Sequence, residues 1–102
     1  MSSGHIYNPY NSDDDTHKYY IITKKQKKVY FGAKGYEDFT THKDEERKQR
    51  YINRHKKNEE HLWNKSGIDS PSFWSRFYLW EEPIKRQALE KIKIKLRNWK
   101  VL

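Results

Sequence analysis

The chain has 102 residues and carries 22 lysines and arginines against 14 aspartates and glutamates, a formal net charge of +8. This length predicts one small domain and excludes a large enzyme. The basic excess favours a polyanionic partner such as nucleic acid, an acidic protein surface or anionic lipid. The lack of cysteine excludes disulfides and cysteine-based zinc sites. We expect no membrane span and no secretion, because no apolar run approaches ~20 residues and the N-terminus lacks the features of a signal peptide.

The first 17 residues are rich in serine, asparagine and aspartate, with Pro9 and an acidic run at residues 13–15. A segment of such low hydrophobicity cannot bury enough apolar surface to fold alone. We therefore predict that residues 1–17 form a flexible N-terminal arm that becomes ordered only on a partner.

Residues 18–32 have the pattern of a β-hairpin. Residues 19–22 and 29–31 are short β-branched and aromatic runs, which strands favour. The polar segment between them lacks the Asn-Gly pair of a tight turn, so we expect a longer loop.

The clearest predicted helix covers residues 41–64. Thr41 is the expected N-cap, and Gly67 is expected to end the helix. At about 100° per residue, one side of this helix carries apolar and aromatic residues, and another carries basic residues.

Two further helices are predicted after it. Ser70 and Pro71 begin a short one, since proline is favoured at the first helical position. Pro83 opens the last helix, whose apolar face comprises Ile84, Ala88, Leu89, Ile92, Leu96 and Trp99.

Together these elements predict the α+β class. Residues 18–102 are expected to form a single small domain in which an N-terminal β-hairpin packs on about three helices. No single element has enough apolar area alone, so we expect one shared core. Its predicted members are Tyr20, Ile22, Phe31, Tyr51, Leu62, Trp74, Phe77 and Leu89.

A row of basic residues on the first helix is the most informative candidate site. Its members Arg47, Arg50, Arg54 and Lys57 are spaced i, i+3, i+7 and i+10, which suits a helix laid along a phosphate backbone. The same row suits an acidic protein surface. It also fits a solvated face whose charges are paired within the helix, as Asp44 with Lys48 and Glu46 with Arg50 at the favourable i, i+4 spacing.

A second basic cluster lies on the predicted hairpin loop and comprises Lys24, Lys25, Lys27 and Lys28. Charged loops are commonly just solvated. Tyrosines beside such lysines also suit single-stranded nucleic acid, because bases stack on aromatic rings.

The segment 72–80 concentrates large aromatic side chains, which we assign either to the core or to a partner interface. They are Phe73, Trp74, Phe77, Tyr78 and Trp80.

No catalytic residue, cofactor site or metal site is predicted. The five histidines have no regular spacing with carboxylates, and the serines lack the context of a nucleophile elbow. No glycine-rich phosphate loop is present in the sequence.

The motif order nevertheless resembles the start of a GIY-YIG endonuclease, with YII at residues 20–22, VYFG at residues 29–32 and then an arginine-rich helix. This resemblance implies Tyr20 and Tyr30 as site tyrosines and Arg47 or Arg50 as the helix arginine. The chain departs from that pattern because no glycine precedes the first tyrosine. No suitable metal-binding glutamate follows on a later helix, so a degenerate nuclease is the least favoured hypothesis.

A second resemblance covers roughly residues 18–83. The motifs are VYFGAKGYEDFT at residues 29–40, HKD at 42–44, RKQRYINRHKK at 47–57 and SFWSRFYLW at 72–80. They resemble a family of small basic uncharacterised proteins of nucleocytoplasmic large DNA viruses, the giant viruses of algae and amoebae. The resemblance implies a viral source and supplies no catalytic residues.

The sequence thus favours a non-catalytic virion structural protein, a minor capsid component that links larger capsid proteins in many copies per particle. Its expected location is the virion, and the host cytoplasm or viral factory during infection. The alternative is a nucleic-acid-binding protein that neutralises the viral genome.

Overall fold

The computed structural model of the protein describes residues 6–102. The chain divides into two units, residues 1–36 and residues 37–102. In its described part, residues 6–36, the first contains three β-strands, and the second contains the helices. The predicted α+β class is therefore confirmed.

The first unit is built on an antiparallel sheet of three strands. β1 is Tyr10–Asn11, β2 is His17–Ile22 and β3 is Lys28–Ala33, in the spatial order β1-β2-β3. The predicted hairpin corresponds to β2 and β3, which pair through Tyr20 with Tyr30 and Tyr19 with Phe31.

The turn between β2 and β3 is longer than two residues, as expected. The amide of Gln26 donates to the carbonyl oxygen of Thr23 at 2.9 Å. The amide of Thr23 donates to the carbonyl oxygen of Lys27, also at 2.9 Å. Gln26 adopts a φ of 65°, the left-handed conformation common in hairpin loops of this length. The Thr23 side chain is buried and accepts from the amides of Lys25 and Lys27, which fixes the loop.

The segment predicted as a flexible arm contains a strand, which corrects that prediction for its described part. Tyr7 is 1% exposed, and its amide donates to the carbonyl oxygen of Ile22 at 2.8 Å. The Asp14 carboxylate accepts from the amides of Thr16 and His17, so a side chain closes the turn into β2. Residues 1–5 lie outside the described part of the chain, and ordering on a partner stays a prediction.

The second unit contains four α-helices. They are α1 (Phe39–His42), α2 (Glu45–Glu59), α3 (Pro71–Trp74) and α4 (Lys85–Asn98). Short 3-10 turns occupy Glu60–Leu62 and Lys65–Gly67, and a π-helical segment, Ser75–Leu79, continues α3. None of these helices is long and apolar enough to cross a membrane.

The predicted helix 41–64 is shorter and begins later. Asp44, not Thr41, is the N-cap of α2, since its carboxylate accepts from the amides of Glu46 and Arg47. Lys43 adopts a left-handed conformation with a φ of 57° and separates α1 from α2. A carboxylate at a helix start satisfies free amides and favours the positive end of the helix dipole, so the aspartate position determines where the helix begins.

Gly67 lies beyond the end of α2 and does not cap it. It is buried, and a Cβ at this position would collide with the backbone carbonyl of Leu62. Glycine is therefore required here by a close backbone approach.

The core of the second unit is mainly aromatic on one side and aliphatic on the other. α4 packs against the π-helical segment. The most buried side chains are Phe39, Phe73, Trp74, Leu79, Ala88, Ile92 and Leu96.

Candidate nucleic-acid interface

The basic row on α2 faces away from the interior of its unit. Tyr51, on the buried side of the helix, is 8% exposed and stacks on Trp80 with ring centroids 4.3 Å apart and an interplanar angle of 4°. This stack determines which side of α2 is buried. We call the row Arg47, Arg50, Arg54 and Lys57 the cationic stripe, and all four of its side chains are exposed.

Two members of the cationic stripe have carboxylate partners. Arg47 lies 3.2 Å from a carboxylate oxygen of Glu37, and Arg50 lies 3.4 Å from one of Glu46, the i, i+4 pair expected from the sequence. All four of these side chains are at least 44% exposed, so the pairs contribute little to stability and open readily.

The other two members of the cationic stripe, Arg54 and Lys57, differ in their ionic contacts. Within residues 6–102, neither Arg54 nor Lys57 forms an ion pair. They lie three residues apart, about 4.5 Å along the helix axis. The structure thus presents two free cations at the C-terminal half of α2.

Lys48 also lies on α2 but is not part of this surface. Its Nζ donates to the carbonyl oxygen of Glu81 at 2.9 Å and lies 5.1 Å from the ring centroid of Phe39. Within residues 6–102, the Asp44–Lys48 pair expected from the sequence is not formed, and the Lys48 ammonium instead donates to Glu81.

The aromatic side chains of segment 72–80, which we call the aromatic block, supply much of the interior of their own unit. They are Phe73, Trp74, Phe77, Tyr78 and Trp80. Phe73 and Trp74 are fully buried and Tyr78 is 8% exposed, whereas Phe77 and Trp80 are half-buried. The Trp74 indole donates to the carbonyl oxygen of Ile68 at 2.7 Å, which satisfies its polar atom. Of the two assignments open from the sequence, the core assignment fits Phe73, Trp74 and Tyr78.

A charged cluster missed by the sequence analysis lies beside these rings. Arg76, on the π-helical segment, has a side chain only 14% exposed and lies 2.6 Å from a carboxylate oxygen of Glu81. Its guanidinium lies 5.4 Å and 5.0 Å from the ring centroids of Trp63 and Phe77. Burial would raise the pKa of Glu81, but the hydrogen bond and charge of Arg76 outweigh it and lower that pKa. The spacing of five fits no regular helix pair, so the sequence gives no signal for this contact.

A second hydrogen-bonded cluster includes a serine, a glutamate and a histidine. The Ser72 hydroxyl donates to Glu59 at 2.6 Å, and the other oxygen of Glu59 lies 2.7 Å from His55 Nδ1. The Trp63 indole donates to Ser72 at 2.9 Å. Because the hydroxyl bonds to the carboxylate instead of the imidazole, the order differs from that of a hydrolase triad. The cluster connects the end of α2 to α3.

Within residues 6–102, no group of three or more histidine, aspartate or glutamate side chains is placed to hold a metal ion.

The predicted loop cluster is divided in the structure. Lys24, Lys25 and Lys27 are exposed on the turn. Lys28 instead reaches back along β3, where its Nζ lies 3.2 Å from Asp13 and 4.8 Å from the ring centroid of Tyr20. Asp13 also accepts from the Tyr30 hydroxyl at 2.8 Å, and these hydrogen bonds from Tyr30 and Lys28 hold the pKa of Asp13 below its ordinary value.

The two tyrosines implied by the nuclease resemblance are neighbours. Tyr20 and Tyr30 are cross-strand partners with ring centroids 5.6 Å apart. Tyr10 pairs with Tyr20 on the other side, also at 5.6 Å. The ten-residue spacing of the three tyrosines is visible in the sequence, but it becomes informative only once β1 is known.

Comparison with known proteins yields one family match. The model of a family of unknown function (DUF5754) matches residues 8–55, which is 48 of the 102 residues and includes the three strands and α2 as far as His55. No curated protein and no solved structure matches the chain. This chain is therefore similar, over slightly less than half its length, to a family of unknown function.

Proposed function

We propose that the protein is a non-catalytic nucleic-acid-binding protein that contacts phosphates through the cationic stripe on α2. The observation that carries the proposal is the exposure of Arg54 and Lys57, which have no carboxylate partner among residues 6–102 and lie in line with Arg47 and Arg50. Cations aligned on one flank of a helix displace the counterions of a phosphate backbone, which drives sequence-independent binding.

The salt dependence of binding tests this proposal. We would measure the anisotropy of a short fluorescein-labelled DNA duplex between about 50 and 200 mM salt. Four phosphate contacts predict a log–log slope near −3.6, and two contacts predict about −1.8. The expected slope lies between these values, because Glu37 and Glu46 partly neutralise two of the four cations.

A matched pair of variants locates the contact. Replacing Arg54 and Lys57 together by glutamine should make the slope about 1.8 less negative. Lys56→Gln is the control, because Lys56 lies on the other flank of α2 and is 3.7 Å from Glu60. Absence of duplex binding at the lowest salt would overturn the proposal, as would an equal effect of the control.

A second candidate is a small virion structural protein that bridges larger capsid proteins. Ile94 favours it, since this side chain is 52% exposed on the outer face of α4, one turn before the exposed Arg97. Phosphate binding makes no use of an exposed isoleucine, whereas an apolar side chain beside an arginine suits a protein contact. With the giant-virus resemblance, this would place the protein in the virion and, during infection, in the host cytoplasm or viral factory.

Fractionation of virions separates the two candidates. Mass spectrometry would compare the capsid shell with the nucleoprotein core of purified particles. Recovery in the core supports nucleic-acid binding, and recovery in the shell supports the capsid role. Absence from both fractions would contradict the virion location itself.

A further inference from the structure

The sheet of the first unit has one buried face and one partly exposed aromatic face. Ile21 and Phe31 are at most 1% exposed on the first face. The pairing of Tyr10 with Tyr20 and of Tyr20 with Tyr30 brings three rings into a row on the second face. We call this row the tyrosine ladder, and each of its rings is half-buried.

We propose that the tyrosine ladder is a binding site for the unpaired bases of single-stranded nucleic acid. The proposal rests on the nucleic-acid-binding function proposed above and assigns to it a second site, with a different chemistry. Whereas the cationic stripe would contact phosphates, the ladder would contact bases.

Charge around the ladder favours an anionic partner. Residues 6–36 contain six lysines against three aspartates. Lys28 lies over the Tyr20 ring at 4.8 Å, and the turn that follows β2 exposes Lys24, Lys25 and Lys27. A groove or face that combines lysines with aromatic rings is the usual composition of a single-strand binding surface.

The contact that now occupies the Tyr20 ring is weakly held. Lys28 is 46% exposed and its partner Asp13 is 58% exposed. An exposed ion pair of this kind contributes little to stability. A base could therefore take the place of Lys28 on the ring, and the released ammonium would be free to meet the phosphate next to that base.

The spacing of the ladder favours unpaired strands over duplex. Neighbouring ring centroids are 5.6 Å apart, with interplanar angles of 33° and 42°. Stacked bases in a duplex strand are only ~3.4 Å apart and bury their faces against each other. Only a strand whose bases have separated can place one base on each ring.

Cross-strand tyrosines also stabilise a sheet by themselves, so the experiment must separate base binding from folding. We would compare a labelled oligothymidylate of about 15 nucleotides with an abasic phosphate chain of equal length, using the full chain. The expected result is tighter binding of the oligothymidylate.

Variants of the ladder then assign the contact. Tyr30→Leu should weaken oligothymidylate binding roughly 5- to 150-fold and leave abasic-chain binding unchanged. Tyr20→Phe keeps a ring at the centre of the ladder and should preserve binding. It is the conservative control, which shows that a substitution in the ladder does not abolish binding when the ring is kept. Tyr36→Leu is the matched control, since Tyr36 is 75% exposed and lies outside the ladder.

The outcomes are distinguishable. Equal affinity for the two probes, or an effect of Tyr36→Leu as large as that of Tyr30→Leu, would overturn the ladder proposal. The cationic-stripe proposal would survive either result if the duplex still binds. If no probe binds, single-stranded or duplex, both proposals are overturned.

Discussion

We expect Glu81→Gln to lower the free energy of unfolding by about 2 kcal/mol, because it removes the charge that faces Arg76. The two side chains are 24% and 14% exposed, and their charged atoms lie 2.6 Å apart. Removing one partner of a fully buried ion pair costs about 3–5 kcal/mol. Our value is smaller because Glu81 is partly solvated and because the rings of Trp63 and Phe77 still face the guanidinium.

A double-mutant cycle measures the pair directly. Arg76→Met removes the charge while keeping a long side chain, and the double variant closes the cycle. We expect a coupling energy of about 1.5–3 kcal/mol. For a domain of this size, a loss of about 2 kcal/mol lowers the melting temperature by roughly 8–16 °C. Glu90→Gln is the control, since Glu90 is exposed on α4 and forms no ion pair within residues 6–102. A coupling energy below about 0.5 kcal/mol would refute the reasoning.

Acid provides an independent check on the same pair. Since Arg76 lowers the pKa of Glu81 in the folded protein, the stabilisation is present above the unfolded pKa and is lost as the pH falls through the folded pKa. The parent and Glu81→Gln should therefore differ at pH 7, and the difference should disappear as the pH falls below the ordinary pKa of a glutamate and through the lowered pKa of Glu81. A difference in melting temperature that stays constant over this range would contradict the assignment.

Three further substitutions test the packing and the helix cap. Gly67→Ala should cost about 2 kcal/mol or more, because the new methyl would meet the backbone of Leu62, and an unchanged denaturation midpoint would disprove the close approach. Trp74→Phe should cost about 2–3 kcal/mol through the lost bond to Ile68 and the smaller ring, and Trp74→Ala about 3–5; melting within a few degrees of the parent would place the ring outside the core. Asp44→Ala should cost about 1 kcal/mol, whereas Asp44→Asn keeps the cap, and equal losses in both by thermal melting would argue against capping.

The sequence predicts best where a short-range pattern determines the structure. The β-branched and aromatic runs of β2 and β3 and the apolar positions Ala88, Ile92 and Leu96 of α4 lie where the patterns place them. Ile84 was also assigned to the apolar face of α4 but is 47% exposed. It precedes the first helical turn as the N-cap residue, where the helical period does not apply.

The features that the sequence does not predict come from interactions between residues distant in sequence. β1 has two residues, too few for a recognisable pattern, and it exists because it pairs with β2. Of the predicted core members, Phe31, Tyr51 and Trp74 are buried, while Tyr20, Ile22, Leu62, Phe77 and Leu89 are only half-buried. The stack of Tyr51 on Trp80 joins residues 29 positions apart, so composition indicates an aromatic core without identifying its contacts.

The candidate site is likewise predictable only where it depends on residues close together in the sequence. The stripe on α2 could be predicted, since exposure of aligned cations follows from helical spacing and from the cost of burying charge. The division of that stripe into paired and free members could not, because Arg47 pairs with Glu37, which precedes the helix. The tyrosine ladder likewise depends on strand register, which the chain itself does not show.

The use of the aromatic side chains bears on the choice between the two proposed functions. A chain in which leucine, isoleucine, valine and phenylalanine are scarce must use its larger rings to fill an interior. Three members of the aromatic block are accordingly at most 8% exposed, namely Phe73, Trp74 and Tyr78. A bridge between capsid proteins would need such anchors on its surface, where the structure instead has single apolar side chains such as Ile94 and Leu102. The second unit does present exposed positive charge along its helices. On α2 it includes Arg54 and Lys57, and on one flank of α4 it includes Arg86 and Arg97, with the exposed Glu90 between them. In the second unit, exposed cations without large exposed aromatic side chains support the polyanion proposal over the bridging one. The salt slope of duplex binding is the measurement on which that preference depends.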